Sequence, residues 1–441
     1  MNSELQKIAE LACDRARSRG AKQAAARVAR TRDYKVAVRD GKMEELKSSE
    51  TRGLSIRIFV DGRYGQHKTS ELERRALLRF VGDATEMTRV LMPDTHRALP
   101  EPALYRERPT LDLQLHDPKQ GAVTMAERKR LALQAHDAAR EAAGGRVISV
   151  GAGYTDRVSE SVLVQTNGFA DGRASTTFSL WADVSVNDAR QGKRPSDWAE
   201  TRARFRGALG SPQQVGQEAA RRALAQIGAD AIPSCTLPLV VENRAVGRLL
   251  GGLLAPLSGW ALDQKRSCFD GKLGQAVASE RLSVVDDPLL PRGWGSRRYD
   301  GEGITARRMP LIERGVLGKY YIDSYYARKL KRAPTTGGSS NLVFLEGEGE
   351  LQELCAAAGK AILITHFIGG NSNSTTGDFS HGIGGFLLEG GKRVRPLGSM
   401  NVAGNHLRFW NELVRIGGDP YPHASHRTPS LLFRPTLVAG K

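Results

Sequence analysis

Cysteine is scarce in this chain of 441 residues: the four are Cys13, Cys235, Cys268 and Cys355, and no two form a C-x-x-C pair. That spacing excludes a disulfide framework and a thiolate zinc site, and reads as free thiols in a reducing compartment. Aromatic residues are thin at 6% and do not alternate with basic ones, so no stacking platform for single-stranded nucleic acid is built. Helix-turn-helix, zinc-finger and RNP signatures are missing. No histidine lies between His136 and His366. The most apolar stretch, VGRLLGGLLAPLSGWAL at residues 246–262, is interrupted by Arg248 and Pro256. A membrane-spanning helix needs about 20 mostly apolar residues, so a membrane role is excluded. The opening MNSELQKIAE carries acids at once and lacks the apolar core of a secretory signal. A cytoplasmic protein is expected.

What the chain has in excess is basic charge. Lys plus Arg is 65 against 48 for Asp plus Glu, a net charge of +17. Such a balance can serve nucleic acid or an acidic partner. Here it is spread over both halves, in RDGK, ERRALLR and ARKLKR, so nucleic-acid binding is the weaker reading.

The fold class expected is α+β. A mixed α/β N-terminal domain, residues 1–225, precedes a β-rich C-terminal domain, residues 226–441. Apolar periodicity predicts helices over 3–19 and in SELERRALLRFVGDATEMTRVL, MAERKRLALQAHDAAREAA and SPQQVGQEAARRALAQIGA. Asp40-Gly41 and Asp61-Gly62 predict hairpins. Beyond residue 230 glycine is denser and strands dominate, with helices expected near 349–358 and 405–415. The 246–262 stretch follows a strand-like LPLVVEN and is expected to be a packed helix, with Leu249, Leu250, Leu253 and Leu254 on one stripe.

Sites for chemistry are few. A helix holds metal through ligands one turn apart, and the strand-to-helix region near 240–260 supplies no histidine. His423 and His426, in PYPHASHRTPS, are expected to be solvent-facing loop residues. The segment THFIGGNSNSTTGDFSHGIGGF offers His366, Ser372, Ser374, Asp378, Ser380 and His381, the residue types of a Ser-His-Asp set. Alternation along a strand puts Asp378 and Ser380 on one face and His381 on the other, so no local triad forms. No G-x-S-x-G elbow is present. Basic neighbours of Cys268 could lower its pKa, yet a packed thiol is expected. GGNSNSTTGD lacks the G-K-[ST] ending of a phosphate loop.

An ordered set of segments carries a resemblance. RGLSIRIFVDGRYGQHKTSEL, VLVQTNGFADGRASTTFSL, GKLGQAVASERLSVVDDP, RRYDGEGITARRMPLIERGVLGKYYIDSYYARKL, PTTGG, TTGDFSHGIGGFLLEGGK and PSLLFRPTLVAGK occur in sequence along nearly the whole chain. Together they resemble the TldD/PmbA family, once called modulators of DNA gyrase. The resemblance implies a cytosolic heterodimer of two similar chains that hydrolyses unfolded or modified peptides in an enclosed cavity. It implies that a TldD-type chain holds zinc through H-E-x-x-x-H and a distant Cys, and that the TldE/PmbA type lacks those ligands. In this chain the motif helix would start at Asn243 or at Leu250, and neither register supplies a histidine. The expectation is therefore a non-catalytic subunit with no metal, cofactor or catalytic residue of its own, partnered by a TldD-type zinc-binding subunit and a peptide substrate. Self-pairing into a homodimer stays open. The Gly-rich hairpin around 377–391 is the expected cavity wall, with His366, Asp378, His381, Gly384 and Gly385 as its candidate residues. Two rivals remain: an autonomous hydrolase using His366 with His381 or His423, and a basic protein that binds nucleic acid or an acidic partner.

Overall fold

The computed structural model describes residues 3–441. The first region runs α1 (Ser3–Ser18), β1 (Gln23–Arg39), β2 (Lys42–Val60), β3 (Arg63–Thr69), α2 (Arg74–Arg89), α3 (Met125–Ala143), β4 (Val147–Gln165), β5 (Ala170–Val186), β6 (Ser196–Ala203) and α4 (Pro212–Leu224). Both Asp-Gly pairs turn left-handed in succession, with φ of 48° and 77° at Asp40-Gly41 and 50° and 71° at Asp61-Gly62. That is the geometry that joins twisted antiparallel strands tightly. The six strands form one antiparallel sheet in the order β3-β2-β1-β4-β5-β6. Even-numbered residues of β1 and β4 point to one face. Ala26, Val28, Val162 and Val164 pack under α1 and α2. Val36, Val38, Val150 and Tyr154 pack under α3 and α4. The opposite face is largely polar. It meets the rest of the molecule through a small aromatic cluster of Phe59, Tyr105, Phe169 and Tyr299.

The second region runs β7 (Cys235–Val241), α5 (Asn243–Leu254), α6 (Gly259–Asp263), β8 (Val284–Asp286), β9 (Met309–Glu313), β10 (Val316–Leu317), α7 (Ser324–Leu330), β11 (Leu342–Phe344), α8 (Leu351–Ala358), β12 (Ala361–Ser372), β13 (Asp378–Glu389), β14 (Lys392–Asn405), α9 (His406–Phe409), β15 (Leu413–Ile416), β16 (His426–Arg427) and β17 (Leu431–Ala439). A small sheet has the order β10-β9-β8-β11-β16. A larger one has the order β14-β13-β12-β7-β17-β15, and a further β14–β17 pairing closes five of its strands into a barrel. β7 and β12 are parallel, and both sides of this wall are buried. Leu239, Val241, Ile362 and Ile364 face the core that contains α5. Val240, Ala361 and Leu363 face α8 through Leu354 and Cys355. This two-sided burial is why LPLVV and AILI are unbroken apolar runs.

Two expected helices differ from the structure. The 246–262 stretch is not one helix: α5 ends at Leu254, residues 255–257 make a 3-10 turn around Pro256, and α6 follows. Proline has no N–H and clashes with the preceding turn, which breaks the helix. Leu249, Leu250 and Leu253 are buried in the core as the stripe requires, while Leu254 is partly buried at its edge. The helix expected over 405–415 is the single turn of α9 and a 3-10 turn, after which pairing with β17 draws residues 413–416 into β15. No helix among the described residues is long and apolar enough to cross a membrane.

Candidate functional site

The strand-to-helix junction at Glu242 carries a network of linked ion pairs. Arg222 of α4 donates two bonds to Glu242, at 2.8 and 2.7 Å, and a third to Asp197 of β6 at 3.3 Å. Burial works against its charge, but the Glu242 and Asp197 carboxylates outweigh it and raise its pKa. Next along α5, Asn243 donates its side-chain amide to the Asp419 carbonyl at 2.7 Å. Arg244 donates to the Trp198 carbonyl at 3.0 and 3.1 Å and lies 4.1 Å over the Trp198 ring. Arg248, one turn further, donates to the carbonyls of Gly369 and Gly370. These glycines sit in a bulge of β12 with φ of 67° and 89°. The result is a surface cleft of about 290 Å³ between the first sheet and the barrel, lined by Asp197, Trp198, Arg244, Arg248, His366 and Gly369 among others.

This geometry separates the two registers left open by the sequence. Leu250 is fully buried in the core, so a motif starting there would face no cleft. A six-residue motif starting at Asn243 brings Arg244, Ala245 and Arg248 to its lining and reads Asn243-Arg244-Ala245-Val246-Gly247-Arg248. An asparagine amide and two guanidiniums do not fit zinc, because guanidinium has no lone pair to give at any ordinary pH. Among the described residues, no group of three or more His, Cys, Asp or Glu side chains is placed to hold a metal ion.

The five cavity candidates are not one cluster. His366 lines the cleft, bonded through Nδ1 to Thr365 Oγ1 at 3.1 Å. Burial lowers its pKa, so the ring is neutral at pH 7. Gly384 pairs with it across the strands, and a Cβ there would lie 2.3 Å from His366 Nε2. Gly385 is tighter still: its Cβ would lie 1.8 Å from the Leu363 carbonyl oxygen. Asp378 is exposed in a local network with Thr376 and Asn405. His381 is buried on the other face of the strand, as alternation predicts.

His381 belongs instead to a group the sequence did not reveal. Ser372 Oγ lies 3.4 Å from His381 Nε2 and 3.2 Å from His406 Nε2. The Trp410 indole donates to His406 Nδ1 at 3.3 Å. An indole N–H can only donate, so the His406 proton sits on Nε2 and is given to Ser372. Ser372 then donates to His381. Burial first, then His381, pushes the His406 pKa down to about 4. Gly252 of α5 makes the room, since a Cβ there would lie 2.0 Å from His406 Nε2. Both imidazoles are 1% exposed. Only Ser372 reaches solvent, so the pair acts as a packed hydrogen-bond bridge rather than an open catalytic dyad.

His423 and His426 depart from the solvent-facing expectation. Both are partly buried, and burial lowers both pKa values. They turn to different partners: His423 Nδ1 accepts from the Arg202 amide at 3.2 Å, and His426 Nε2 is 3.1 Å from Ser339 Oγ. They do not form a pair. Burial raises the Cys268 thiol pKa despite nearby Lys272, which keeps it an unreactive thiol.

Comparison with known proteins places this architecture. Residues 24–88 match the PmbA/TldA metallopeptidase domain 1, residues 118–227 its central domain, and residues 234–440 its C-terminal domain. Metalloprotease PmbA of Escherichia coli O157:H7 is 27% identical over 418 residues, covering 94% of this chain and 91% of that protein. A Bacteroides thetaiotaomicron VPI-5482 crystal structure, described as a candidate modulator of DNA gyrase, superposes with a TM-score of 0.96 at 36% identity over 100% of both chains. TldE from Thermococcus kodakarensis shares the fold, with a TM-score of 0.85 at 19% identity over 98% of this chain and 100% of that one. The ordered sequence segments, the barrel with its α5 helix and the three matched domains agree: this chain belongs to the TldD/PmbA metallopeptidase family.

Proposed function

We propose that this chain is the non-catalytic subunit of a two-chain zinc peptidase. It pairs with a TldD-type zinc-binding chain in the cytoplasm, completes the wall of the substrate cavity and holds unfolded or modified peptides for cleavage by the partner. One observation carries the reading. The α5 residues that line the cleft include Arg244 and Arg248, each tied to a protein carbonyl, and Asn243 beside them is tied to a third. A carbonyl-binding guanidinium suits a peptide backbone or carboxylate and does not suit a metal cation. The hairpin β13–β14 and the His366 side of β12 are the proposed peptide wall, with Gly384 and Gly385 allowing close strand approach.

The test is reconstitution. Alone, the chain cleaves no peptide. Mixed with a TldD-type chain, it restores or raises cleavage, and a chelator removes that activity. Chelator-resistant cleavage by the chain alone, lost in His366→Ala or His381→Ala, overturns the reading in favour of an autonomous hydrolase. Tight, salt-sensitive DNA binding with no effect on the partner's activity overturns it in favour of a nucleic-acid protein.

A further inference from the structure

A second cleft, larger than the one at α5, separates the open face of the first sheet from the loop 334–340. Its volume is about 630 Å³, within the range of small-ligand and peptide sites. One wall is cationic. Across β1, β2 and β3, Arg27 is opposite Ser55 and Ser55 is opposite Lys68. In the next row of the same face, Ala25 is opposite Arg57 and Arg57 is opposite Gln66. Residues two apart on a strand are spaced about 6.6 Å and share a face, so the three cations form two rows at that spacing. Among the described residues Arg27 has no ion pair and donates to the Gly301 carbonyl at 3.5 Å. Among the described residues Arg57 and Lys68 have no ion pair.

The carboxylates across the cleft are already engaged. Asp300 accepts from the amides of Glu302 and Ile304 at 2.8 and 3.0 Å and from Thr336 Oγ1 at 3.2 Å. Glu302 accepts from the Ser324 amide and hydroxyl at 2.8 and 2.7 Å. Asp323 caps α7 through the Tyr326 amide at 2.8 Å. Arg97 is pinned over the Tyr325 ring, 3.4 Å from its centroid. Beside these engaged carboxylates the same wall presents donors. Arg297 takes the carbonyls of Ser339 and Gly338 at 3.2 and 2.7 Å. The amides of residues 337–339 have no acceptor among the described residues.

A cavity with unpaired cations on one side and unclaimed amides on the other is built for an anion. We propose that this cleft receives an extended peptide segment bearing carboxylates at alternate positions, one seated by Arg27 and Lys68 and the next by Arg57. The proposal rests on the peptide-holding role above. A strand repeats its side chains on one face at the same spacing as the two cation rows, which favours a peptide over an isolated phosphate.

Fluorescence anisotropy on the full chain tests it, with a labelled peptide carrying Glu at alternate positions and the same peptide with Gln in their place. The Glu peptide is expected to bind about tenfold more tightly than the Gln peptide, a difference of ~1.4 kcal/mol. Arg57→Gln and, separately, the exposed Lys68→Gln should remove most of that preference and leave the melting temperature unchanged. Equal binding of the two peptides, or a preference untouched by either substitution, overturns the cleft assignment and leaves the peptide-holding role standing. Failure of both peptides to bind, with and without the TldD-type chain, overturns that role as well. Inorganic phosphate that displaces the Glu peptide at equal concentration, in an Arg57-dependent way, reassigns the cleft to phosphate and overturns the proposal.

Discussion

The first sheet and the barrel are built on opposite logic, charged alternating strands in one and apolar runs in the core of the other. In the sheet, strand neighbours are mostly sequence neighbours, joined by tight turns, and one face is helix-covered while the other is polar. In the barrel, β7 lies beside β12 and β17, which are made more than a hundred residues later, and both faces of that wall are buried. Register shifts interrupt most of its ladders, including two in the β12–β13 pair. The regular sheet is a platform. The irregular barrel turns carbonyls and rings out of register, and that is where Arg248 and His381 find their partners.

The comparison breaks most sharply at the joint between the regions. Arg222→Ala leaves Glu242 buried without its partner, which should cost on the order of 3–5 kcal/mol. Denaturant unfolding of this variant should split into two transitions, with the barrel opening first. A single transition with unchanged midpoint would mean that the regions do not depend on this contact.

Acid comes next. The His406 pKa is depressed in the fold to about 4, from an ordinary 6.5. A base whose folded pKa is lowered stabilises the protein fully above pH 6.5 and loses that contribution as pH falls toward 4. Between pH 7 and pH 5 the loss is about 2 kcal/mol, and it falls on the barrel. His406→Gln should flatten this part of the pH-stability curve. A wild-type barrel equally stable at both pH values would remove the buried-histidine argument.

The smallest effect belongs to the sheet. Gly62 has a φ of 71° and open space where a Cβ would go. Gly62→Ala should therefore cost only about 1 kcal/mol of backbone strain, read as a small drop in melting temperature. A change as large as that of Arg222→Ala would show that the hairpins, and not the joint, hold the two regions in register.

Legibility in the sequence follows the same division. Asp40-Gly41, Asp61-Gly62 and the helices of the first region are fixed by neighbours within a few residues, so local pattern suffices. Pro256 was visible, yet the apolar run around it hid the break between α5 and α6. The partners of His423 and His426 lie 221 and 87 residues away, and His406 lies 34 residues from Ser372. No spacing rule reaches that far. The choice between Asn243 and Leu250 needed burial, because both begin plausible helical turns and only the Asn243 register brings residues to the cleft lining. Arg222 left one faint signal, a cation on the apolar stripe of α4 beside Ala219 and Ala223.

The closing strand sets an order for synthesis. All of the first sheet has been synthesised by residue 203, and its helices by residue 224. The barrel cannot close at that point, because β7 waits for β12 and for β17 at residues 431–439. During that interval a nascent chain carries a finished platform and an apolar strand with two bare edges. Such edges recruit other strands, so a partner or chaperone that shields β7 during translation would govern the yield of folded protein.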